Sequence, residues 1–170
     1  MEKKQKEKLL KYVSSALQSK LQCTFGVDTC IYTIVGVRAD EETIEAISEG
    51  GVYIKRNIEL AHIFVRPISS MTKTEVKDLA KIRMSKRWSV KKVLSIECIS
   101  KQNNRSWSCL AFYKSVYGKT VQTYLIVGNI NSEMTIGEMD YLISHKFDVY
   151  DLLSEGLATE GVYDDILKTK

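Results

Sequence analysis

The chain has 170 residues and a net charge of +4, with 44% hydrophobic and 27% charged residues. Those values suit a globular domain and exclude a largely disordered, collagen-like or polytopic membrane chain. A chain of this length buries about 70% of its unfolded surface, enough for one self-sufficient core, so a single domain over 1–170 is expected.

Residues 3–22 read as an amphipathic helix, because Leu9, Leu10, Val13, Ala16, Leu17 and Leu21 recur at spacings of three and four. Lysines crowd its first turns and oppose the helix dipole, so its start is expected to fray. Gly26 and Asp28 mark a break, and the β-branched run 30–37 reads as a strand. Over 40–49 two readings compete. Asp40-Glu41-Glu42-Thr43 resembles a helix start, and a short helix is the first expectation. The alternative is a hairpin of 43–48 and 52–56 around Glu49-Gly50-Gly51. Residues 58–65 suit a further strand, ended by Pro67, the only proline.

Thr72 and Glu75 are spaced as a capping box, which predicts a helix from there to about Lys86. Residues 92–128 predict a three-stranded antiparallel meander of 93–100, 107–115 and 120–127. With the first turn centred between 103 and 104, paired positions sum to 207, so Ile96 faces Ala111 and Cys98 faces Cys109. Thr135 and Glu138 form a second capping box, followed by an apolar stripe of Ile136, Met139, Leu142 and Ile143. Asp148 then caps a short helix over 149–155 that Gly156 stops, and 164–170 reads as a loose C-terminal tail. The predicted class is α+β: a small, largely antiparallel sheet with helices packed on one face.

Charge is unevenly spread. Residues 1–20 carry +4, residues 73–92 carry +6, and residues 133–165 carry −8. Such blocks either present a nucleic-acid face or attract each other on folding, and the second is the commoner outcome. Cysteines 23, 30, 98 and 109 lack the spacing of a zinc or redox motif, so four free thiols and no metal are expected. No apolar run approaches the roughly 20 residues of a membrane span, and no signal-like apolar stretch follows the lysine-rich start. The expectation is a cytoplasmic protein.

Two segments stand out: Val65-Arg66-Pro67-Ile68-Ser69-Ser70-Met71-Thr72 with Glu75, and Tyr141-Leu142-Ile143-Ser144-His145-Lys146-Phe147-Asp148 continuing to Gly156-Leu157-Ala158 and Glu160-Gly161-Val162-Tyr163. Together they resemble a recurrent group of small proteins from phages and integrated mobile elements of Bacteroidota. In that group an RP-[LM]-SSMT-EE segment precedes an HHFD…LI…GLA segment and a closing EG-[MV]-Y. This chain departs at Ile68, at Lys73-Thr74 and at Lys146. The resemblance implies a context, a phage or mobile-element protein in a host cytoplasm, rather than a chemistry. Taken structurally, Pro67, Ser69, Ser70 and Thr72 make a turn and cap, Met71 plugs the core, Phe147 is a core aromatic, Asp148 a cap and Gly156 a stop. The two segments are expected to meet, with Arg66 pairing the carboxylate of Asp148.

Three functions compete. An enzyme would use His145 as acid or base together with Asp148, and Arg66 as an anion clamp. No nucleophile elbow, phosphate loop or zinc-protease motif accompanies them, and no cofactor motif is present. A nucleic-acid binder would use the helix 73–87 through Lys77, Lys81, Arg83, Lys86 and Arg87, with Trp88 for stacking. The leading expectation is a non-enzymatic accessory protein that binds another macromolecule, a protein above all. Self-association is a further outcome.

Overall fold

The computed structural model describes residues 1–27, 30–87, 89–103, 105–129 and 134–161. In chain order the elements are α1 (Lys3–Ala16), β1 (Gln22–Phe25), β2 (Tyr32–Arg38), β3 (Thr43–Ser48), β4 (Tyr53–Asn57) and β5 (Ala61–Val65). Then come α2 (Lys73–Ser85), β6 (Val90–Asn103), β7 (Ser106–Ser115), β8 (Thr120–Val127), α3 (Ile136–Ser144) and β9 (Ala158–Glu160). The fold is α+β. Contacts divide it into two compact units, one of residues 1–66 with 143–170 and one of residues 67–142. No helix among the described residues is long and apolar enough to cross a membrane.

The first unit is built on a six-stranded sheet in the order β4-β3-β2-β1-β5-β9. All its pairings are antiparallel except that of β5 with β9. Helix α1 buries Leu9, Tyr12, Val13 and Ala16, and the sheet contributes Cys23, Ile34, Ile44, Ala46, Ile63 and Val65.

The helix ends earlier than its heptad-like spacing predicts. After Ala16 a 3₁₀ turn covers Leu17–Ser19, and Lys20 adopts the left-handed conformation at φ 53°. From Leu21 burial alternates through Cys23 and Phe25, the period of a strand. Nor is the lysine-rich start loose. Lys6 Nζ lies 2.6 Å from Glu42 and 3.0 Å from Glu59, pairings that raise the pKa of Lys6 and lower that of Glu59.

The hairpin, and not the short helix, forms over 43–57, with Thr43 opposite Asn57 and Ile47 opposite Tyr53. Buried Ile44 and Ala46 alternate with less buried neighbours, so the segment obeys a period of two. The carboxylates that suggested a helix start take cations instead: Glu41 pairs with Lys55 and Glu42 with Lys6.

The second unit is a meander in the order β6-β7-β8, with α2 on one face. Val76, Leu79, Ala80 and Met84 of α2 are buried, as are Ile96, Cys109, Ala111, Tyr113, Leu125 and Val127 of the strands. Ile96 does face Ala111, but a bulge between Glu97 and Ser100 takes Cys98 out of register. Cys109 instead faces Leu125. Cys98, at φ 49°, is exposed; both thiols are free.

Both capping boxes are present. Thr72 Oγ1 accepts from the Glu75 amide at 3.2 Å while the Glu75 carboxylate accepts from the Thr72 amide at 2.7 Å. Thr135 and Glu138 repeat the arrangement at 3.3 and 3.0 Å. In α3, however, Ile136 is 82% exposed while Glu138 is fully buried, so the expected apolar stripe is broken at its first position.

Candidate functional site

The two motif segments meet in the first unit, and their main chains make the junction. The Arg66 amide donates to the Lys146 carbonyl at 2.8 Å, and the Asp148 amide donates to the Arg66 carbonyl at 2.8 Å. These bonds form a parallel bridge between Arg66 and Phe147 that extends the line of β5. The Arg66 guanidinium carbon lies 4.4 Å from the centroid of the Phe147 ring, a cation–π contact. Phe147 is fully buried, as expected of a core aromatic, and its carbonyl accepts from Tyr12 Oη at 3.3 Å. Burial, aided by the nearby charge of Asp148, pushes the Tyr12 phenol pKa up.

The expected pairing of Arg66 with Asp148 is not the one formed. Both Asp148 oxygens accept backbone amides, from Leu152 at 2.8 Å and Leu153 at 3.0 Å. Asp148 is therefore a cap, but of a turn. Residues 149–155 do not close into a helix, and Asp151 takes φ 59°. Gly156, at φ 68°, supplies the left-handed stop, and the Leu157 amide closes on the Leu152 carbonyl at 2.8 Å. His145 is exposed, its Nδ1 3.1 Å from Ser144 Oγ.

From Pro67 on, the first motif segment lies within the second unit. Pro67 precedes a 3₁₀ turn over Ile68–Ser70 in which Ser70 Oγ donates to the Pro67 carbonyl at 2.8 Å; Ser69 lies within it, half-buried. Trp107 Nε1 donates to the Ile68 carbonyl at 3.1 Å. Met71 is buried as expected. It lies against Gly128, where an added Cβ would stand 2.9 Å from Ile68 Cγ2 and 3.2 Å from Met71 Cε. At φ 78° that position also strains any other residue.

The basic helix is less uniform than its charge suggests. Lys73, Lys77 and Lys81 recur every fourth residue, one stripe along α2, and all are exposed. Lys86 and Arg87 at its end are exposed too, as are Lys91 and Lys92 at the start of β6. Lys81 pairs with Asp78 at 2.8 Å. Lys73, Lys77, Lys86, Arg87, Lys91 and Lys92 form no ion pair with any described residue. Trp88 lies outside the described residues.

Arg83 departs from this group. Its Nε donates to Glu138 Oε1 at 2.6 Å and its Nη1 to the Ile126 carbonyl, which withdraws it from the exposed face. Glu138 thus serves α3 twice, one oxygen closing the capping box and the other holding Arg83. The signal was present in the sequence. Arg83 stands seven residues after Val76, two turns along the buried stripe.

A groove of about 500 Å³ runs between α2 and β6, lined by Lys77, Lys81, Val93, Leu94, Ile96 and Glu97. Sequence reasoning missed the strand half of it, because Leu94 is the extra residue of a bulge between Val93 and Ser95. That bulge leaves Leu94 45% exposed. A larger cavity of about 820 Å³ lies in the first unit beside Gln22, Thr33 and Ile47, which register aligns across β1, β2 and β3. Among the described residues no three His, Cys, Asp or Glu side chains gather as a metal site. Comparison with protein-family models, curated proteins and solved structures gives no match.

Proposed function

We propose that this protein is a non-enzymatic accessory protein that binds an acidic macromolecule, a protein partner, through the basic flank of residues 73–97. The resemblance of its paired motifs supports a phage or mobile-element role in a host cytoplasm. The observation that carries the reading is the row of exposed cations, Lys73, Lys77, Lys86, Arg87, Lys91 and Lys92, without ion partners among the described residues and beside an amphipathic groove. Unpaired like charges on one flank attract an outside anion and steer its approach.

The groove favours protein over nucleic acid. Apolar Val93, Leu94 and Ile96 have no use for phosphates, whereas the apolar side chains of a polypeptide can cover them. An acidic polypeptide can satisfy both the lysines and the apolar floor. The enzyme reading is weaker, because Asp148 takes the Leu152 and Leu153 amides while exposed His145 lies beside Ser144 Oγ.

The test is affinity capture from cells with and without nuclease, comparing the parent with Lys77→Glu/Lys81→Glu. A nuclease-resistant protein partner that the variant loses is the expected result. Loss of all captured material on nuclease treatment overturns the reading in favour of nucleic-acid binding.

A further inference from the structure

We infer that this flank takes its partner by strand addition: an extended segment with carboxylates at two alternate positions pairs with the outer edge of β6 beneath Lys77 and Lys81. The inference rests on the proposed protein-binding role and names its mode of recognition.

β6 is the terminal strand of the meander, paired with β7 on one side and with no strand on the other among the described residues. Its outward N–H and C=O groups form an open ladder, the feature that strand-adding peptides use. The groove runs along this strand and not across it, since five consecutive residues from Val93 to Glu97 line it. An extended segment of about five residues, roughly 17 Å long, fills that length.

The two lysines set the side-chain pattern. Lys77 and Lys81 are four residues apart on α2, a rise of about 6 Å. Residues i and i+2 of an extended strand point to the same side about 6.8 Å apart. Two carboxylates so spaced meet both ammonium groups at once. Lys81 must exchange Asp78 for the new partner, but that pair is exposed and weak in water. An apolar neighbour on the added strand then covers Leu94.

Bulges fix how much of the edge is usable. Between those at 93–95 and 97–100, only Ser95, Ile96 and Glu97 keep regular register with β7. Few ladder bonds are available, so the lysines must contribute and binding must be salt-sensitive. The same bulges and cations oppose a second copy of the chain. Edge-to-edge pairing would set Lys77, Lys81, Lys91 and Lys92 against their own copies.

The test uses the full chain and a fluorescent peptide of about eight valines and threonines carrying two glutamates at alternate positions. Controls are the same peptide with lysines for glutamates, the glutamate peptide N-methylated on alternate backbone nitrogens, and a single-stranded oligonucleotide. Anisotropy should detect binding of the glutamate peptide alone, weakened more than tenfold by Lys77→Glu/Lys81→Glu and by molar salt. Amide exchange over 93–97 should slow on binding. Equal binding of the N-methylated peptide, or unchanged exchange at 93–97, overturns strand addition while the protein-binding role stands. Absence of peptide binding by a chain that still captures its partner through Lys77 and Lys81 does the same. Tighter binding of the oligonucleotide than of the peptide overturns the protein-binding role itself.

Discussion

Arg83 donates from Nε to the fully buried carboxylate of Glu138 at 2.6 Å, and this one bond joins α2 to the capping box of α3. A buried pair adds little over an apolar substitute, but breaking it strands a charge in a dry site at a cost of about 3–5 kcal/mol. Arg83→Gln and Glu138→Gln should each destabilise the chain on that scale in urea unfolding. The double variant should lose clearly less than the sum, because each single change already removes the shared interaction. Full additivity would show that the two side chains act independently.

The exposed lysines should behave in the opposite way. Lys77→Gln and Lys81→Gln remove no buried contact, and the Lys81–Asp78 pair is solvent-exposed on both sides. Their effect on unfolding should stay within about 0.5 kcal/mol each. Capture of the partner should nonetheless fall, which separates binding residues from folding residues within one helix. A variant that unfolds early would place Lys77 or Lys81 in the framework and not on the binding flank.

This division within α2 marks where sequence reading succeeds. Thr72 and Glu75 announce the helix because capping is local chemistry, and the meander is legible because its alternation persists over three strands. β1 is hidden because Leu21 continues the helical spacing of α1 while also opening a strand alternation. Asp40–Glu42 mislead because carboxylates suit a helix start and a cation partner equally, and the partners Lys6 and Lys55 are remote in sequence. Arg83 groups with the exposed cations by sequence, since charge alone does not reveal that Glu138, 55 residues away, waits in the core. The meeting of the two motif segments was foreseeable, but its agent was not. Main-chain bonds carry no side-chain signature.

The junction of Arg66 and Phe147 makes a graded prediction. Phe147→Ala opens a cavity in the core and should cost about 3–5 kcal/mol. Phe147→Leu keeps most of the volume but removes the aromatic face beneath the guanidinium. A double-mutant cycle of Arg66→Ala with Phe147→Leu should return a coupling of about 0.5–1 kcal/mol, the scale of a partly exposed cation–π contact. A coupling near zero would reduce the 4.4 Å approach to mere proximity.

The cysteines give a prediction with a definite sign in pH. Cys30 and Cys98 are exposed, whereas Cys23 and Cys109 are buried. Burial pushes the Cys23 thiol from 9.0 up to about 12 and raises that of Cys109, against the opposing charge of Arg83. Only thiolates react, so disulfide reagents at pH 8 should titrate two thiols in the native chain and four after unfolding. Stability follows the same logic. Between pH 9 and about 12 the unfolded Cys23 has lost its proton while the folded one keeps it, so the native state binds more protons and stability falls as pH rises. The slope from one such group approaches 1.4 kcal/mol per pH unit. Cys109 adds to it above pH 9, and Tyr12 above pH 10, its phenol being raised in the same sense. Cys23→Ala should lower stability below pH 9 by leaving a small void, yet flatten its decline between pH 9 and 10.5. Unfolding free energies of parent and variant across that interval decide the matter: parallel declines would mean that Cys23 ionises as readily in the fold as outside it.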